Sequence, residues 1–152
     1  LDNPLFNLVF DFLLSFMASC AFAIMYNAPR KELIPCAITG ALGWVVCFFV
    51  MNKTTDIVTS TFFGALTVAA CSRILSYTRL APSTLFLIPG IIPLVPGTQL
   101  YNTMKGVIAN NLYYTYQEAV KAFKLAGVIA VGIIIVFSLP YGTFAIFDPK
   151  EK

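Results

Sequence analysis

Five runs of apolar residues, at 5–26, 33–50, 57–75, 84–108 and 123–147, take up most of this 152-residue chain. Each is close to the roughly 20 residues that a helix needs to cross a hydrocarbon core about 30 Å thick. Inside that core every backbone N–H and C=O must find its partner within the protein. The runs are therefore read as helices, separated by short polar connections. Composition agrees. Hydrophobic residues make up 59% and charged residues 11%, where soluble domains carry about 25% charged residues. The length is short for two domains. The expectation is an all-α integral membrane protein with about five transmembrane helices in one domain over residues 1–152, embedded in a lipid bilayer.

The fourth run does not read as an ordinary span. Residues 89–97 are Pro-Gly-Ile-Ile-Pro-Leu-Val-Pro-Gly, with three prolines and two glycines among Ile, Leu and Val. Proline lacks an N–H, and its ring clashes with the carbonyl four residues back. A helix through Pro89, Pro93 and Pro96 would leave the carbonyls of Leu85, Pro89 and Ile92 unpaired, and their i, i+4, i+7 spacing puts them on one face. Irregular backbone at membrane depth is tolerated where it is buried in protein or lines a wet cavity. A broken hydrophobic segment is also the best sequence pointer to a transporter's binding site. The other reading of the tract is a proline-kinked helix with only a packing role.

The remaining features set limits. The net charge of +3 comes from scattered basic residues, mostly in the connections, a pattern of membrane topology and not of nucleic-acid binding. With five spans, Arg30, Lys31, Arg73, Arg79, Lys150 and Lys152 fall on one side and Lys53, Lys105, Lys121 and Lys124 on the other. That balance favours the N-terminus outside. The start has no basic n-region and no small-residue cleavage site, so the first run is expected to be a mature span. Cys20, Cys36, Cys47 and Cys71 lie within apolar runs without metal-ligand spacing and read as packing residues. The chain has no histidine, which excludes Ser-His-Asp and Cys-His catalysis. No nucleophile–base pair, metal cluster or phosphate-binding loop is present, so neither an enzyme nor a cofactor is expected. Cys36/Gly40, Ala37/Ala41, Ser60/Gly64 and Ala65/Ala69 are small-residue pairs at i, i+4 that allow close helix approach. Trp44 lies too deep in its run to be an obvious interfacial anchor. Tyr113, Tyr114 and Tyr116 read as an interfacial belt ahead of the fifth span.

Within the tract, Pro89, Gly90, Pro93, Pro96 and Gly97 are the candidate pathway residues. The second half-helix should open near Thr98. Its first N–H groups lack internal partners and carry the positive end of the helix dipole, which suits a carboxylate. Gly97 would admit a ligand to the backbone, and Thr98 would cap the helix or touch the ligand. Gln99, Tyr101 and Asn102 would add hydrogen bonds to a solute or, for Tyr101 and Asn102, between helices. Asp11, an acid inside the first span, is either a coupling group or a shallow, solvated carboxylate. Arg73 would snorkel to the interface, pair with Asp11, bind a carboxylate or meet a partner. Asn27, two residues before Pro29, is favoured as a turn residue.

Tyr26-Asn27-Ala28-Pro29, the stretch from Gly40 to Gly43, Ser72-Arg73, the tract at 89–97 and Tyr101 together carry a resemblance. The chain resembles the small subunit, or C-terminal half, of the threonine/serine exporter family over nearly its whole length. That resemblance implies a bacterial inner-membrane exporter of small amino acids or, as in some two-gene versions, of succinate. It implies a larger homologous partner subunit that supplies the first half, and little transport by this chain alone. Two halves with an odd number of spans would lie in opposite orientations, the inverted-repeat plan of many secondary transporters. An accessory subunit that only stabilises its partner is the alternative.

Overall fold

The computed structural model describes residues 4–140, with side chains described from residue 8. Among the described residues the ordered elements are all helices: α1 (Pro4–Met25), α2 (Leu33–Thr54), α3 (Ile57–Arg79), α4 (Thr84–Ile91), α5 (Gly97–Ile108) and α6 (Leu112–Ser138). Short 3-10 turns precede α2 and follow α4. Helices α1, α2, α3 and α6 are long and apolar enough to cross a membrane, and α4 with α5 makes a fifth, broken segment bent by 52°. This is the expected all-helical membrane architecture, with the proline tract at the bend between α4 and α5.

The helix ends are written locally. Asn27, Thr55, Leu80 and Asn110 all adopt the left-handed conformation, with φ of 52–55°, and they close α1, α2, α3 and α5. After α1, Ala28 N–H donates to the Ala23 carbonyl and Asn27 N–H to that of Ile24. After α5, Asn111 and Asn110 do the same to Gly106 and Val107. This Schellman arrangement satisfies carbonyls that a helix end leaves open. At the starts, Asp56 caps α3 by accepting from the N–H groups of Val58 and Thr59, and Asn111 caps α6 by accepting from that of Tyr114. The Asn111 cap corrects one expectation. The fifth span does not begin at 123; its helix starts at Leu112. The tyrosines and charges of 112–124 interrupt the apolar run without interrupting the helix. The part of the predicted span beyond Pro140 lies outside the described residues.

Helix α2 packs against α1, α3 and α4; α3 also packs against α4 and α6, and α5 packs against α6. Small residues set these distances. A Cβ on Gly64 would lie 3.0 Å from the Gly43 carbonyl, and one on Gly90 would lie 3.0 Å from methyl groups of both Thr39 and Val68. A Cβ on Gly132 would lie 3.2 Å from that of Ala65. All four small-residue pairs read from the sequence are buried at these crossings. In lipid, where burial of apolar surface gives no extra drive, such close van der Waals contact is what holds helices together.

The break follows from the prolines, though not with three bare carbonyls. The Leu85 carbonyl accepts from the Cys36 thiol at 3.3 Å. The Ile92 carbonyl accepts from Val95 N–H at 3.1 Å, one residue tighter than an α-helix. Two of the three oxygens expected to be free are thus satisfied inside the protein, because a buried polar group costs too much to leave unmade. Val95 is extended, and Pro96, at the N-cap position of α5, turns the chain so that Gly97 N–H reaches the Val95 carbonyl.

Candidate functional site

Three cavities adjoin one another around the break. The central one, about 210 Å³, is lined by Pro93, Pro96, Gly97, Thr98 and Gln99 of the tract, by Trp44 and Cys47 of α2, and by Thr61 of α3. A Cβ on Gly97 would meet nothing within 4 Å, and its φ is not left-handed. Glycine at this position therefore answers neither a backbone constraint nor a packing one; it leaves the opening of α5 bare to the cavity. Pro96 provides no side-chain cap. Leu100 N–H is taken by the Pro96 carbonyl and Gly97 N–H by that of Val95. Among the described residues, the N–H groups of Thr98 and Gln99 have no such acceptor. Thr98 does not cap the helix, which corrects that part of its expected role.

On the other face of Pro93 lies a cavity of about 200 Å³ lined by Asp11, Ser15, Trp44 and Pro93. Asp11 therefore shares a cavity with Pro93 of the tract and with Trp44. Ser15 is buried and donates to the Gly40 carbonyl at 3.2 Å, which ties α1 to α2 beside this cavity. A third cavity, about 480 Å³, shares Gln99 with the central one and is lined by Asp56, Glu118, Lys121 and Lys124. Its acids are already engaged. Glu118, 7% exposed, accepts from Lys121 Nζ at 2.6 Å and from Asn102 Nδ2 at 3.4 Å. Asp56 accepts from the Thr59 hydroxyl at 2.5 Å and from the N–H groups of Thr59 and Val58. The Thr59 hydroxyl first, then these backbone groups, hold its carboxyl below the usual range. Lys124 has no ion-pair partner among the described residues. The two acids and two lysines of this lining cancel in formal charge, and Lys124 is the cation left to meet a solute near Gln99.

The remaining predicted residues fall elsewhere. Pro89 and Gly90 are buried in the contact of α4 with its neighbours, where Gly90 meets Thr39 and Val68. Asn102 makes an interhelical hydrogen bond to α6, and Tyr101 is 69% exposed, away from the central cavity. Asn27 is a turn residue with φ 55°. Arg73 does not snorkel: it is 5% exposed, and its guanidinium donates to the carbonyls of Phe137 and Leu139 at 3.2 and 3.1 Å. It also lies 5.3 Å from the centre of the Phe137 ring. It closes the C-terminal end of α6, where a cation suits the helix dipole, and the ion pairs among the described residues do not join it to Asp11. Sequence reasoning missed Asp56, Glu118, Lys121 and Lys124 as cavity residues. It also missed Trp44, whose depth in an apolar run was a signal that something other than an interface held it.

The pattern of one family, "Threonine/Serine exporter, ThrE", matches residues 11–139. A protein of Haemophilus influenzae described as "Uncharacterized protein" is 28% identical over 138 residues, covering 88% of this chain and 46% of that protein. The chain thus spans about half the length of that curated relative. No solved structure matches.

Proposed function

Since the chain belongs to the threonine/serine exporter family, we propose that it is a subunit of a bacterial inner-membrane secondary transporter for a small carboxylate-bearing solute. That solute is a threonine- or serine-type amino acid, or a small dicarboxylate such as succinate. The observation that carries the reading is the bare opening of α5. Gly97 leaves the backbone open to the central cavity, and the N–H groups of Thr98 and Gln99 stand without acceptors. N–H groups at the start of a helix are suited to a carboxylate, by hydrogen bonding and by the helix dipole together. Lys124 in the adjoining chamber, which has no ion-pair partner among the described residues, would offer an anion a second contact. Asp11, across Pro93 and Trp44, would meet the ammonium of an amino acid and repel the far carboxylate of a dicarboxylate.

The whole path would need a larger homologous partner subunit. The length of the curated relative beyond the matched half supports this, as does the wide apolar surface of α1, including Val9, Leu13 and Met17. Such a partner would complete an inverted repeat. The reading assigns no catalytic residue, metal or cofactor.

The test is efflux from liposomes holding the complete transporter, with Gly97→Val beside Gly97→Ala. The open space at Gly97 predicts that both assemble. The branched side chain should abolish flux by covering the N–H groups, and the methyl should reduce it. Wild-type flux in Gly97→Val would remove the tract from the path. Equal flux from the partner alone would leave this chain an accessory subunit.

A further inference from the structure

Trp44 is the sole tryptophan of the chain, and its Nε1 is sealed from water with no hydrogen-bond acceptor among the described residues. A buried indole N–H usually finds a partner. Leaving it unmade costs free energy that the surrounding structure must offset. Its position suggests why this state is kept. Trp44 and Pro93 are the two residues common to the linings of the Asp11 cavity and the Gly97–Gln99 cavity. The indole is thus part of the wall between them. The backbone that carries it has little room to shift. At the preceding residue, a Cβ on Gly43 would run into the Val68 side chain and stand 3.3 Å from the Gly64 carbonyl. The freedom at this point lies in the torsions of the indole itself.

We propose that Trp44 is the gate of the solute path. In the arrangement seen here it divides the two cavities with its N–H unpaired. It swings when a solute carboxylate supplies the missing acceptor. A ligand moves such an equilibrium only by binding one state better than the other. Here the difference is a charge-assisted hydrogen bond from the indole N–H, made in the displaced position and absent in the closed one. Pro93 is the fixed side of the gate and Trp44 the moving side. The inference rests on the tract being the solute site and adds the residue that opens it.

The complete transporter, this chain with its partner, is reconstituted in liposomes. The difference in tryptophan emission between wild type and Trp44→Phe isolates Trp44. Threonine and succinate are the probes. The transported probe should change the Trp44 emission saturably, at the concentration that half-saturates flux. Trp44→Phe keeps a ring but removes the donor, and should raise KM tenfold or more. Should Trp44→Phe fail to assemble, Trp44→Leu, which also lacks a donor, takes its place in both measurements. Unchanged emission at saturating flux, or a wild-type KM in the variant without the donor, overturns the gate. Gly97→Val separates the two ideas. If it stops flux while Trp44→Phe keeps the wild-type KM, the site stands and the gate falls. If both transport as wild type, or neither probe moves, the site reading falls and the gate with it.

Discussion

At the scale of single residues, the polar side chains that matter are those whose partners are fixed. Asp56 binds the first N–H groups of α3 as a carboxylate, and its folded pKa lies below the ordinary value of about 4. The capping contribution is therefore fully present above pH 4. It is lost as the pH falls below that value, through the folded pKa. Asp56→Asn should keep most of the cap and flatten this acid dependence, and Asp56→Ala should lower the melting temperature at neutral pH. Thermal unfolding in detergent between pH 3 and 7 checks both. Arg73 is the other fixed group, with the carbonyls of Phe137 and Leu139 on its guanidinium. Arg73→Leu should destabilise by roughly 1–3 kcal/mol, the cost of leaving buried groups unpaired, measured as a shift in the same melts.

The elements are held apart or together by glycine. Gly64 and Gly90 have no room for a side chain at the crossings of α2 with α3 and with α4, whereas Gly127 on α6 meets nothing within 4 Å. Gly64→Leu and Gly90→Leu should thus each cost about 1–3 kcal/mol by overpacking and reduce assembled protein, while Gly127→Ala should leave both measures unchanged. Size-exclusion yield and melting temperature distinguish the cases. The broken segment works in the opposite sense. Pro93→Ala restores an N–H that the Pro89 carbonyl can use. It should assemble normally yet slow transport, because the extended residues before α5 would be drawn into a continuous helix. Flux per assembled complex is the measurement.

At the scale of the whole molecule, the arrangement divides into two ends. The turn before α2 and the end of α3 are joined by the Glu32–Arg79 ion pair at 3.6 Å. The turn between α2 and α3, with Asp56, faces Gln99 and Lys121 across the largest of the three cavities. Helix α3 connects the two ends, and its 23 residues reach about 35 Å at 1.5 Å per residue. Cysteines introduced at Lys53 and at Arg79 should therefore be labelled by an impermeant reagent from opposite sides of the membrane. Labelling of both from one side would contradict the five-segment topology.

The helices, the turn at Asn27, the break in the fourth segment and the small-residue faces were legible in the sequence alone, whereas α2 and α3 run four residues past the apolar runs that marked them. Each depends on local chemistry: apolar run length, the missing proline N–H, the conformations that asparagine adopts, and the i, i+4 spacing of small side chains. The start of α6 was not legible, because polar residues on a helix break a hydropathy run without breaking its hydrogen bonds. What only the tertiary structure decided was the use of each group. Cys36 answers the Leu85 carbonyl across 49 positions, and Arg73 reaches Phe137 across 64. Glu118 takes Asn102, and Trp44 stands between Asp11 and Gly97. These pairings follow from where helices cross. A proline or glycine tract dictates its own backbone, but the side chains that surround it are set by the packing of α1, α2, α3 and α6 around it.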